Sequence, residues 1–423
     1  MSTALLTDRY ELTMVQAALK SDKAGTPCVF EAFARKLPAG RRFGVFAGSG
    51  RLIAALSDFR FTKAELDFLQ EQKVVDARTL DFLADFKFKG TVSGYREGEL
   101  YFGNSPVLTV EASFAEGVLI ETLLLSVLNY DSAVASAAAR MRVAANDRYL
   151  AEMGARRANE TAAVAAARAA FIAGFDASSN LEAHRTYGVP SMGTSAHSFT
   201  LLYDSEESAF KAQLDSMGTQ TTLLVDTYDI EAAVKSAVAL SDGKISAVRL
   251  DSGDLGSTAV RVRKLLDELG AKETKIVVTS DLDEYTIAAL QAAPVDRYGV
   301  GTSLVTGSSH PTAGFVYKLV SHHTNDEWVS VEKRSENKGS KGGKKLASRS
   351  LKDGIATAEL VGNPTSGRAL QELKMEQGNP VQDLSDKALT LRAREHHTVV
   401  MQELPEVGKR LSQGEPVIPT IFS

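Results

Sequence analysis

The sequence predicts an α/β protein whose central part is a β/α barrel. Three observations carry that reading. Between residues 221 and 300, short apolar runs alternate with helical stretches, the runs recurring every 22 to 30 residues. Strands apolar throughout, with helices between them, imply a parallel sheet covered on its faces. The first 125 residues instead hold short strands bounded by Gly and Pro, the pattern of an antiparallel sheet. After Leu319 the strand–helix rhythm stops.

In the first part, segments 28–33, 44–46, 90–95 and 106–111 read as strands and 63–72 as a helix. Residues 121 to about 150 are Ala- and Leu-rich with apolar positions three to four apart, which predicts one long helix. A second helix is expected over 159–174, with Asn159 as N-cap and Gly174 as its stop. The barrel rhythm follows: strands at 221–225, 245–250, 275–278 and 297–300, with helices at 230–240, 255–269 and 282–292. Beyond it, 328–333 reads as a strand. The Lys-, Gly- and Ser-rich stretch 333–350 reads as a solvated hairpin or loop, without interleaved aromatics on which bases would stack. The tail from 377 carries one more helix, with His396 and His397 expected to be exposed. His310 is expected in a loop.

At 423 residues the chain exceeds one average domain, and 44% hydrophobic residues suffice for a large core. A net charge of −5 provides no basic field, so nucleic acid is not an expected partner. One cysteine, Cys28, excludes an intramolecular disulfide and a thiolate metal cage. Asp8, Arg9 and Glu11 interrupt any leader-like pattern, and no apolar run reaches the roughly 18 residues that span a bilayer. The expectation is a cytoplasmic protein without a membrane partner.

In β/α barrels the reactive side chains sit where strands end and loops begin. Here those corners are polar: Val225-Asp226-Thr227-Tyr228-Asp229, Arg249-Leu250-Asp251-Ser252-Gly253-Asp254, Val278-Thr279-Ser280-Asp281 and Gly299-Val300-Gly301-Thr302-Ser303. Any one acid at such a place can simply cap the next helix; four in succession fit that explanation poorly. Alternation along a strand points Arg249 and Asp251 to one side, and such a pair needs a ligand or each other. A guanidinium fork suits a carboxylate or phosphate, and Asp251 suits Mg²⁺ or a sugar hydroxyl. Backbone amides at 299–302 can cradle phosphate, and Arg156-Arg157 bring cationic charge near a helix N-terminus. Val189-Pro190-Ser191-Met192-Gly193-Thr194-Ser195-Ala196-His197-Ser198 presents one histidine among small side chains. A histidine so placed can accept a phosphoryl group. Together these corners describe a site for a polyphosphorylated substrate with a metal ion.

Leu6-Thr7-Asp8-Arg9-Tyr10-Glu11-Leu12-Thr13-Met14 resembles the opening signature of nicotinate phosphoribosyltransferases. So do Gly174-Phe175-Asp176-Ala177-Ser178-Ser179-Asn180, the 193–198 segment, the Arg249 to Asp254 corner, Gly301-Thr302-Ser303, and Gly314-Phe315-Val316-Tyr317-Lys318-Leu319-Val320. The likeness runs from about residue 5 to 365, and its motifs are jointly specific.

The resemblance implies an irregular β/α barrel (126–320) plus a mixed α+β domain built from both chain ends, 1–125 with 321–423 packing back on it. It implies a homodimer with shared active sites, and a reaction of nicotinate, phosphoribosyl pyrophosphate and ATP with Mg²⁺. His197 matches the histidine that is phosphorylated, and Tyr10 the tyrosine that stacks on the pyridine ring from the neighbouring subunit. Thr194 and Arg249 match nicotinate contacts, and Gly301 and Thr302 lie where the sugar phosphate is held. Arg156, Asp176 and Asp251 match sugar-phosphate or metal-region positions, with Asp281 beside Asp251 toward the metal. One departure is Met153, where family members often carry an aromatic residue. Alternatives are nicotinamide phosphoribosyltransferase, quinolinate phosphoribosyltransferase and a barrel that only binds phosphorylated metabolites.

Overall fold

A computed structural model of the chain describes residues 2–333, 341–382 and 385–422. They form two units, Ala137–Ser309 and the combination of Met1–Ser136 with His310–Ser423.

The apolar runs of the central unit become a six-stranded sheet in the order Ala177–Ser178, Tyr149–Glu152, Arg297–Val300, Lys275–Ser280, Ala247–Leu250, Thr222–Leu224. Every neighbouring pair is parallel. The two outer strands do not pair with each other, so the barrel is open and irregular; a bridge from Ser178 to Ser191 extends one edge. Register aligns Ser280, Val300, Glu152 and Ser178 in one row at the C-terminal ends. Helices Ile230–Leu240 and Leu255–Glu268 connect successive strands, with Asp229 and Asp254 accepting from the backbone as N-caps.

The largest sheet of the other unit is antiparallel. This seven-stranded sheet places Pro27–Ala34 between Phe315–Thr324 and Leu108–Ser113, while Gln371–Glu376 pairs with Thr91–Tyr95. Both ends of the chain thus contribute to one sheet. A buried ionic core joins them: Arg349 donates to Glu359 at 2.6 Å, and the Tyr95 hydroxyl donates to the same carboxylate at 2.6 Å. Each charge there is met by an opposite one, as burial demands.

Several sequence expectations change. The helix expected to about 150 ends at Ala145, because Asn146 turns left-handed (φ 56) and Arg142 closes the last turn by donating to the Asn146 and Arg148 carbonyls. Residues Tyr149–Glu152 then form a strand. The units divide at 136/137, within helix Glu121–Ala145, and at 309/310, ahead of Phe315–Thr324, which joins the antiparallel sheet. Of the basic stretch 333–350, residues 334–340 lie outside the described residues, whereas Leu346–Lys352 is a strand paired with Ile355–Gly362. His397 is buried, with Nδ1 2.8 Å from the Gly98 carbonyl, and His396 contacts Glu99 at 3.0 Å, so neither is the exposed residue expected. The reason is spacing: Thr390, Ala393, His397 and Val400 share the buried face of Asp386–Glu403. His310 lies outside helices and strands.

Candidate active site

Parallel strands carry their C-terminal ends to one edge of the sheet, and five polar corners meet there. Arg249 lies one residue before the end of Ala247–Leu250 and Asp251 just after it; Asp226 follows Thr222–Leu224 at a distance of two. The Arg249 guanidinium donates to the Thr194 hydroxyl, while its buried Nε has no hydrogen-bond partner among the described residues. Burial pulls the Arg249 pKa down; Asp251 and Asp226 favour its charge, and Arg156 opposes it.

Asp226 anchors the corner. Its carboxylate is 1% exposed and accepts from the Asp251 amide at 2.8 Å and the Ser252 hydroxyl at 2.7 Å. The other oxygen, Oδ1, has no hydrogen-bond partner among the described residues and stands 3.9 Å from His197 Nε2. Asp251 Oδ2 is 4.0 Å from the same nitrogen, and Asp251 Oδ1 accepts from Thr279. On the far side of the ring, Nδ1 meets the Thr227 hydroxyl at 3.1 Å. His197 opens helix His197–Leu202, and its side chain is 39% exposed. The imidazole is therefore held from behind, flanked by two carboxylates, and open to a ligand.

The structure gathers His197, Thr194, Arg249 and Asp251 into this cluster and brings the exposed Arg156 near enough to act on Arg249's charge. Gly301 and the exposed Thr302 open a short helix after Arg297–Val300. Close approach explains the neighbouring glycine: a Cβ on Gly299 would lie 2.6 Å from Met153 Sδ. Asp281 is exposed at the end of Lys275–Ser280. Asp176 lies elsewhere, at the N-terminal end of the strands, where its carboxylate takes Arg142 at 2.7 Å and the Leu150 amide at 2.8 Å. Tyr10 belongs to the other unit, on helix Arg9–Lys20, 46% exposed. Sequence reasoning named the corners of Asp226, Thr227 and Thr279 without giving these residues roles; position at strand ends was the available signal.

The family model for the N-terminal domain of nicotinate phosphoribosyltransferase matches residues 5–129, and the model for the nicotinate phosphoribosyltransferase family matches 149–360. The chain belongs to the nicotinate phosphoribosyltransferase family. It is 52% identical to nicotinate phosphoribosyltransferase pncB1 of Mycobacterium tuberculosis, over 98% of this chain and 94% of that one. It is 38% identical to nicotinate phosphoribosyltransferase of Bacillus subtilis, over 79% and 70%. The crystal structure of human nicotinic acid phosphoribosyltransferase superposes with a TM-score of 0.84 at 26% identity, covering 99% of this chain and 97% of the human one.

Among the described residues no three His, Cys, Asp or Glu side chains converge on one point. Asp251 is 38% exposed and Asp281 is exposed, so both carboxylates can be reached from solvent. Magnesium commonly takes one or two carboxylates and completes its shell with water and substrate phosphate. The donor set fits an ion that arrives on a phosphorylated substrate. No helix among the described residues is long and apolar enough to cross a membrane.

Proposed function

We propose that this protein is a nicotinate phosphoribosyltransferase of NAD salvage, converting nicotinate and phosphoribosyl pyrophosphate to nicotinate mononucleotide and pyrophosphate. ATP and water give ADP and phosphate in the same cycle, coupled through phosphorylation of His197. The observation that carries the reading is Arg249, a half-buried guanidinium whose Nε has no partner among the described residues, near the same two carboxylates that flank the His197 imidazole.

The pyridine nitrogen attacks C1 of the ribose while the C1–oxygen bond breaks and its electron pair leaves on pyrophosphate. Nicotinate needs no deprotonation, so orientation and charge supply the catalysis. Arg249 holds the carboxylate in a two-bonded fork, steadied by Thr194. Arg156 and the Gly301–Thr302 backbone receive the phosphates. Asp251 and Asp281 would hold a magnesium ion, which when bound would neutralise charge on the leaving group. His197, beside the carboxylates of Asp226 and Asp251, takes the γ-phosphoryl of ATP and ADP leaves. Hydrolysis returns the histidine, with affinities for substrates and products altered between the two states. Tyr10 of a partner subunit stacks on the pyridine in a cytoplasmic homodimer.

The test pairs nicotinate, nicotinamide and quinolinate in turn with phosphoribosyl pyrophosphate, with and without ATP. The reading expects nicotinate mononucleotide from nicotinate, formed faster with ATP. Preferred use of nicotinamide or quinolinate, or no turnover with any of them, refutes it.

A further inference from the structure

Glu152 ends its strand with a fully buried carboxyl group, and no cation pairs with it among the described residues. Its oxygens are nevertheless both used. Oε1 accepts from the Gly154 amide, and Oε2 contacts the Ser178 hydroxyl at 2.5 Å. Its backbone carbonyl accepts from the Ser179 amide at 2.9 Å. Burial raises its pKa above the usual carboxylate value. A buried acid without a counter-ion is costly, and a sheet position flanked by Ala151 and Val300 has no need of one.

Its contacts lead to the substrate side. Gly154 starts a turn closed by the Arg157 amide on the Gly154 carbonyl at 2.8 Å, and that turn carries Arg156. The turn is wedged against the next strand end, since a Cβ on Gly154 would lie 2.2 Å from Val305 and 3.1 Å from the Gly301 carbonyl. Ser178 accepts from the Asn180 amide through its hydroxyl at 2.9 Å and from the Met192 amide through its carbonyl at 3.0 Å. One side chain thus ties the Arg156 turn, packed on Gly301, to the loop after Ala177–Ser178.

We infer that Glu152 is a positioning residue that sets the Gly154 turn and so aims Arg156 at the diphosphate of phosphoribosyl pyrophosphate. The inference rests on the reaction proposed above. Glutamine can copy both side-chain contacts, accepting from Gly154 through Oε1 and donating to Ser178 through Nε2; alanine can copy neither.

The experiment compares wild type with Glu152→Gln, Glu152→Ala and Ser178→Ala in the full chain. It measures kcat, KM for each substrate, melting temperature, and Kd for phosphoribosyl pyrophosphate by calorimetry. Glu152→Ala should raise KM and Kd for phosphoribosyl pyrophosphate about tenfold or more, given the cost of ångström misplacement. KM for nicotinate should move less than about threefold, and Glu152→Gln should restore most of the affinity. If Glu152→Ala does not fold, Ser178→Ala carries the test, with a rise of about threefold for phosphoribosyl pyrophosphate alone. Unchanged affinity for phosphoribosyl pyrophosphate overturns the inference. So does a rise in both KM values in proportion to lost melting temperature, or a Gln variant as impaired as Ala. A wild type that binds phosphoribosyl pyrophosphate yet makes no nicotinate mononucleotide would sink the proposed reaction instead, leaving the calorimetric comparison to judge Glu152.

Discussion

Replacing Arg249 should weaken the preference for an acid over an amide. In the structure one Nη donates to Thr194 and the buried Nε has no partner among the described residues, so a ligand carboxylate would meet a guanidinium short of acceptors. Truncating one member of a buried charge pair costs about 2–5 kcal/mol. Arg249 is half-buried, which places the expected loss near 3 kcal/mol, or about 150-fold in kcat/KM for nicotinate. A neutral amide forfeits only an ordinary hydrogen bond, about 1 kcal/mol or fivefold. The acid-to-amide ratio of kcat/KM should therefore fall about 30-fold in Arg249→Ala. Arg249→Lys keeps the charge but not the fork and should lose about tenfold on nicotinate. The assay is steady-state kinetics on nicotinate and nicotinamide, after thermal melts confirm folding, because Asp226 and Asp251 also lose a cation. Unchanged nicotinate kinetics, or equal losses on both substrates, would refute the reasoning.

Two other outcomes are expected. The Glu11 carboxyl is buried, accepts from the Thr122 amide at 3.0 Å and from the Thr7 and Thr122 hydroxyls, and burial pushes its pKa up to about 7. The folded protein then keeps a proton that the unfolded chain releases above its ordinary 4.5, so this group's contribution falls as pH rises from about 4.5 through 7. Glu11→Gln should remove up to about 3 kcal/mol of that decline, and denaturant melts at pH 5 and 8 that decline equally in both proteins would contradict it. Mixing Tyr10→Ala with His197→Ala subunits, each folded but inactive, should restore activity toward about a quarter of wild type if a dimer shares its sites as C2 partners do; verified exchange without recovery would place both residues in the same subunit's site.

Legibility followed burial. The strands at 222–224, 247–250, 275–280 and 297–300 announced themselves because a parallel sheet buries both faces and its strands read as continuous apolar runs. Tyr149–Glu152 did not, since its four residues also continue the apolar spacing of the preceding helix; the break is made by a left-handed Asn146 and the side chain of Arg142. Ala177–Ser178 is too short to show any period. Arg249 and Asp251 were legible as a pair by alternation, and both enter the cluster. Their supports, Thr194, Asp226 and Thr279, come from other strands and loops, and only folding shows which oxygen meets which donor. Asp176 shows the converse: a motif says nothing about which end of a strand a residue occupies. His397 could have been found, because its spacing from Ala393 and Val400 puts it on the buried stripe.

The coupling step is tested most directly by incubating the protein with γ-labelled ATP and mapping the label. Phosphohistidine is acid-labile and base-stable, which separates it from phosphoserine. The account predicts such a label on His197, absent in His197→Ala, weakened in Asp226→Asn, and released as phosphate when nicotinate and phosphoribosyl pyrophosphate are added. Label that survives acid, or that persists in His197→Ala, would contradict it.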